Sequence, residues 1–230
     1  MKKLLYLFSF LLAVTFAACE NGQPEGPSNP TGPSNPDEPS EPNKHENHEW
    51  VDLGLSVKWA TCNVGANAPE EFGDYFAWGE TQPKEVYDWS TYKWCNGSSE
   101  TLTKYNKHKD KSVLDLEDDA AHVNWGGAWR MPTAEEQWEL LDNCIWTLTW
   151  NGYIITSRIN GNSIFWPQPG WRDGSGLYGA GSGGRCWSSS LSHYGLHLAT
   201  SSGLDMNDYA YSSGDGSRYI GRPVRPVLRE

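Results

Sequence analysis

The chain has 230 residues, among them 13 Trp, 11 Tyr and 24 Gly, and a net charge of −11 at neutral pH. So acidic a chain has no electrostatic footprint for nucleic acid and no basic patch for anionic lipid. Its length leaves room for one full core, and its composition points to short strands and turns sealed by aromatics in place of long helices.

Lys2 and Lys3 precede an apolar run from Leu4 to Ala18 that is too short to span a bilayer comfortably and has the layout of a secretory signal, 1–18. The run ends Phe16-Ala17-Ala18-Cys19, which resembles the lipobox of bacterial lipoproteins, with Phe16 in place of the usual Leu or Val. The resemblance implies that Cys19 is lipidated and becomes the first mature residue, in a protein exported and anchored to the outer membrane with its domain facing the cell surface. Several acyl chains hold firmly, since each buried CH₂ contributes ~0.8 kcal/mol.

Residues 19–49 read as a tether. From Glu20 to Glu49 there is no aliphatic or aromatic residue, so nothing is buried to offset the entropy of ordering. Pro24, Pro27, Pro30, Pro33, Pro36, Pro39 and Pro42 recur every third residue, which is one turn of polyproline II. At ~3.1 Å per residue such a rod reaches roughly 90 Å. His45-Glu46-Asn47-His48 falls one residue short of the zincin spacing and has no helix to place both imidazoles on one face.

The domain, 50–230, carries 22 acidic against 15 Lys and Arg residues. Strands are expected at 51–53, 57–62 and 75–78, and a short helix at 114–121. The clearest element is a helix over 133–143. Thr133 and Glu136 form a capping box, Pro132 blocks any earlier helix, and Glu135 and Glu136 suit the positive end of the dipole. Ala134, Trp138, Leu141 and Ile145 recur at helical spacing, which predicts a buried face with Trp138 in the core. Ahead of it, Trp125 and Trp129 bracket two glycines, a place for dense aromatic packing. Strands follow at 145–150, 153–159 and 163–166, with Asn151-Gly152 and Asn160-Gly161 as hairpin turns. The glycine-rich stretch 170–184 reads as a long surface loop, and 185–190, 194–200 and 223–229 as the closing strands.

Trp129-Arg130-Met131-Pro132-Thr133 with Glu136 and Trp138 resembles the Arg-x-Pro-Thr-x-x-Glu-Trp signature of the formylglycine-generating-enzyme-like branch of the C-type lectin fold. The wider pattern is closer to the Fibrobacter succinogenes major paralogous domain family. It includes Val51 to Ala60, Gly73 to Glu80, Asn162 to Phe165, Trp187-Ser188-Ser189-Ser190 and Val224-Arg225-Pro226-Val227, in the family's order. The resemblance covers roughly 50–230 and implies an α+β, C-type-lectin-like fold of short, twisted antiparallel strands, two short helices and long loops. Trp125, Trp129, Arg130, Pro132, Thr133, Glu136, Trp138 and Trp187 are its structural residues.

Function is less legible. The formylglycine-generating oxidases depend on a close pair of cysteines near the C-terminus that bind copper, whereas Cys186 stands alone after Cys144, so no catalytic residue is named. Cys62, Cys95, Cys144 and Cys186 allow three disulfide pairings or four free thiols. Calcium-dependent sugar binding in C-type lectins uses Glu-Pro-Asn and Trp-Asn-Asp; here the former occurs only in the tether, as Glu41-Pro42-Asn43, and the latter not at all. No cofactor is implied, although Asp173, Asp205, Asp208 and Asp215 could gather around Ca²⁺ from their loops. His193 and His197 lie in strand and turn, where residues four apart are too far apart for a metal pair.

The segments 170–184 and 192–219 are rich in Tyr, Ser, Asn, Asp, Gly and His, the composition of a recognition surface and also of turns. Candidate ligand-binding residues are Trp171, Asp173, Tyr178, His193, Tyr194, His197, Asp205, Asn207, Asp208, Tyr209, Tyr211 and Tyr219. The expectation is a non-enzymatic binding lipoprotein for an extracellular glycan or protein. The alternatives are a structural or accessory subunit of a cell-surface assembly and, from the resemblance alone, a formylglycine-generating-type enzyme. Glycan binding predicts exposed aromatic rings on one face, and assembly predicts a contiguous apolar patch.

Overall fold

A computed structural model describes residues 44–107, 111–204 and 211–229, without the side chains of 202–204 and 211–213. The signal run, Cys19 and the proline repeat lie outside these residues. Strand structure is already present six residues before the expected domain start, where Lys44–His45 (β1) and His48–Val51 (β2) form a hairpin. Aromatic contact orders this end of the tether. His48 lies flat on Trp125 with ring centroids 3.7 Å apart, and the His45 carbonyl accepts from the Trp129 indole at 3.0 Å.

Lys58–Ala60 (β3) pairs with β2, and the Val51-to-Ala60 motif then docks on distant turns. Asn160 and Asn162 both donate to the Asp52 carbonyl, and the Ser157 hydroxyl donates to that of Leu53. The expected strand at 75–78 is reduced to one bridge, Phe76 to Arg222. The expected helix at 114–121 divides into a 3₁₀ turn at Leu116–Asp118 and Ala120–Trp125 (α1). The break is Asp119, whose extended backbone lets one carboxylate oxygen cap α1 at the His122 amide while the other accepts from the Met131 amide.

Trp129–Arg130 (β4) leads into Ala134–Asn143 (α2), which starts as the sequence predicts. Thr133 Oγ1 accepts from the Glu136 amide at 3.3 Å, and Glu136 Oε2 from the Thr133 amide at 2.8 Å. The buried face is different from the expected one. Glu136, Gln137, Leu140 and Leu141 are buried, whereas Trp138 is 48% exposed and Ile145 lies outward in the next strand. The stripe turns by about one residue because Gln137 is drawn inward, where its side-chain amide donates to the Cys186 carbonyl at 3.2 Å.

Cys144–Leu148 (β5), Gly152–Ser157 (β6) and Ser163–Pro167 (β7) form the expected antiparallel meander. The expected loop at 170–184 contains a hairpin instead, Trp171–Asp173 (β8) and Gly176–Tyr178 (β9). Gly170 and Gly184 make its attachment possible. Both have positive φ, and a Cβ on either would collide with backbone, so only glycines allow the two chains to approach this closely. Gly184–Leu191 (β10), Leu198–Leu204 (β11) and Tyr211–Ser217 (β12) form a second antiparallel sheet of three strands. The strand expected at 194–200 starts only at Leu198, and β12 is a strand where composition suggested loop. Backbone pairing of seven residues with β11, and not an apolar alternation, makes it one.

Val227–Leu228 (β13) sits between β3 and β4, so the first and last strands of the described residues share one five-stranded sheet, in the order β1-β2-β3-β13-β4. Among the described residues the architecture is α+β, mostly strands with two α-helices. One core cluster joins α2 to β5–β7 and β13 through Trp59, Leu140, Trp146, Ile155, Trp166 and Val227. A second gathers Phe76, Trp78, Met131, Trp187, Ala199 and Val224. Within it two motifs are reciprocal partners, since the Trp78 indole donates to the Ser188 carbonyl and the Trp187 indole to that of Phe76, each at 2.9 Å.

Arg218 and Arg225 are fully buried, a feature not expected from the sequence. Arg218 donates to the Tyr92 hydroxyl and to the carbonyls of Lys104, Tyr105 and Leu196, and stacks over Trp78. Arg225 donates to Asn63, Ala60 and Phe165 over the Trp166 ring. Ring faces and carbonyls take the place of carboxylates, which a delocalised guanidinium tolerates. Burial lowers the Arg225 pKa to about 10, leaving it charged at neutral pH. Cys62, Cys95, Cys144 and Cys186 are all free thiols.

Candidate functional site

The strand β10 carries Trp187-Ser188-Ser189-Ser190 directly past the start of α2. The Ser189 amide donates to the Pro132 carbonyl at 2.7 Å, and the Ser190 hydroxyl accepts from the Ala134 amide at 3.0 Å. Helix and strand are thereby locked together. Side chains alternate across a sheet, so β11 turns Ala199 and Ser201 inward, where both are fully buried. Thr200 and its β12 partner Asp215 point to the opposite face and are half-buried, and the Thr200 hydroxyl donates to Asp215 Oδ1 at 3.4 Å.

Between that face and α2 lies a groove of about 400 Å³. Trp138 and Glu135 line it from α2, Thr200 and Asp215 from the sheet, Ser112 and Val113 from the preceding loop. His193 and Tyr194 come from the turn between β10 and β11, and Tyr194 is 89% exposed. The Ser192 hydroxyl shapes that turn by accepting from the Tyr194 amide at 3.0 Å. The groove therefore combines two exposed aromatic rings, a histidine, three hydroxyl side chains (Ser112, Ser190 and Thr200) and two carboxylates. The volume falls within the ordinary range for small-ligand sites.

The other candidates are distributed elsewhere. Trp171 and Tyr178 face each other across the β8–β9 hairpin, ring planes 27° apart, with Asp173 at its tip-side end. Such a pair stabilises a short hairpin in its own right. Tyr219 packs edge-on against Trp89, centroids 5.1 Å apart, within a cluster around Tyr87 and Tyr92. His197 is exposed beside Gly195. Asp205, Asn207, Asp208 and Tyr209 lie outside the described residues, as does the side chain of Tyr211.

Among the described residues the one cluster of three potential metal ligands is Asp115, Glu117 and Asp118, which the sequence did not single out. Lys104 already serves it, with its ammonium 3.2, 2.9 and 2.6 Å from the three carboxylates. Desolvation disfavours the charge on Lys104, but hydrogen bonds to Asp118, Glu117 and Asp115 outweigh it and hold its pKa above the ordinary lysine value. The cluster is a cation site whose cation is the protein's own.

Compared with protein-family models, curated proteins and solved structures, the chain matches none. The groove's chemistry is therefore read from its own residues. Trp138 and Ile145, both expected on the buried face, lie outward, and a signal for this existed. Gln137, Leu140, Leu141 and Cys144 also recur at i, i+3, i+4 and i+7. Taking that stripe as the buried face, polar head included, leaves Trp138 at its outer edge.

Proposed function

We propose that this chain is a non-enzymatic binding lipoprotein with a C-type-lectin-like domain. In this reading lipid on Cys19 anchors it to the outer membrane, the proline rod holds the domain off the surface, and the groove beside α2 takes an extracellular ligand. The observation that carries it is Trp138 and Tyr194, two large aromatic side chains left open to solvent around one concave site. Convergence of the motif residues supports the fold assignment: Trp187 to Ser190 are bonded both to Gly73–Glu80 and to Arg130–Glu136, although all three are far apart in sequence. One observation weighs against the formylglycine-generating alternative. Cys186 is fully buried, and burial pushes its thiol pKa up to about 12, which disfavours the thiolate.

A second reading, a structural subunit, is favoured by a different surface. Ile145 and Ile154 lie diagonally on the outer face of β5–β6, with Leu148 and the 92% exposed Trp150 at the hairpin end. The test is to screen the full-length chain against glycan and protein arrays beside a Trp138→Ala/Tyr194→Ala variant. At least a tenfold loss of binding with unchanged melting supports the groove. Binding that survives this variant but is lost in Ile154→Asp moves the site to the sheet face.

A further inference from the structure

Resting on the groove as the binding site, we infer that its ligand is an uncharged carbohydrate, with a sugar ring against Trp138 and its hydroxyls on Asp215 and Glu135. The class follows from what the groove offers. Ring faces of Trp and Tyr complement the C–H face of a pyranose, an apolar surface edged by hydroxyls. Carboxylates are acceptors only, and a sugar presents many O–H donors. Asp215 spends one oxygen on Thr200, and its other oxygen makes no bond among the described residues. Glu135 likewise makes no side-chain hydrogen bond among them and is exposed at the rim.

Charge excludes the anionic sugars. Both permanent charges lining the groove are negative, Glu135 and Asp215, and residues 50–230 are acidic as a whole. The nearby strand cation does not reverse this. Arg185 packs beside Gly214, but it shares a sheet face with Trp187, opposite to the face that bears Asp215. Among the described lining residues, a sulfate, a sialic acid or a uronate would meet two carboxylates and no guanidinium or ammonium. A protein partner would present a broad surface to a site of about 400 Å³, whereas one sugar chain can lie within it.

The experiment is calorimetric titration of the full-length chain, in a detergent without a sugar headgroup. The probes are cello-, manno-, malto- and galacto-hexaoses, with sulfated and uronate-bearing counterparts. The expected result is binding of at least one neutral hexaose, at least tenfold weaker for its anionic counterpart and at least tenfold weaker in Trp138→Ala. Glu135→Gln/Asp215→Asn should narrow the gap between neutral and anionic probes. An anionic probe that binds as tightly as its neutral counterpart, with the same dependence on Trp138, overturns the ligand class and leaves the groove standing. So does a purified protein from the array that binds in a Trp138-dependent way while no hexaose does. Hexaose binding that ignores Trp138 and Tyr194 overturns both.

Discussion

Arg130 and Glu136 meet in a two-bond fork at the start of α2, Nη1 to Oε2 at 2.8 Å and Nη2 to Oε1 at 2.6 Å. The same Glu136 carboxylate closes the capping box, so one side chain joins β4 to the helix and satisfies the helix end. This explains why an arginine precedes the capping threonine at this spacing: its planar fork matches a carboxylate held three residues into the helix.

Removing either partner leaves the other charge stranded in a largely buried site. Glu136→Ala or Arg130→Ala should cost about 3 kcal/mol in chemical denaturation, and Thr133→Ala about 1 kcal/mol. The pH dependence has a defined sign. Burial acts to raise the Glu136 pKa, but the Arg130 hydrogen bonds and the Thr133 amide prevail and hold it below the ordinary value of 4.5. Its contribution is therefore complete above about pH 4.5 and is lost as pH falls through the depressed folded value. Glu136→Gln should flatten the acid limb of stability below pH 4.5. An unchanged limb would mean that the pair contributes nothing.

Trp138 and Leu140 are two residues apart and should behave oppositely. Leu140→Ala removes a fully packed side chain and should cost ~2–5 kcal/mol, while Trp138→Ala should stay within ~1 kcal/mol of wild type. The reverse order in urea denaturation would return Trp138 to the core and remove the groove's main aromatic wall.

Arg218 should prove indispensable for folding. Arg218→Met keeps the bulk but strands four acceptors, from Tyr92, Lys104, Tyr105 and Leu196. At ~1–3 kcal/mol for each buried group left unsatisfied, the loss should be at least ~4 kcal/mol, close to a domain's whole margin. A variant melting within a few degrees of wild type would show that these carbonyls find other donors.

Cys19→Ser should move the protein from membrane to soluble fractions and abolish fatty-acid labelling. Retention at the membrane without label would rule out the lipid anchor.

Local chemistry was readable from the chain itself. The capping box of Thr133 and Glu136, the three-stranded meander β5–β7, and the burial of Trp129 and Trp187 each depend on residues within a few positions or on bulk alone. What only the tertiary structure decided is where polar side chains find partners far along the sequence. Gln137 turns inward because a carbonyl at Cys186 awaits it, and that rotation puts Trp138 in the groove. His48 leaves the tether because Trp125 offers a ring face. Tyr211 to Ser217 become a strand because β11 supplies a backbone to pair with. In each case a long-range hydrogen bond or stacking contact decides the outcome; in α2 it selects the stripe of Gln137, Leu140, Leu141 and Cys144 over the competing one of Ala134, Trp138, Leu141 and Ile145.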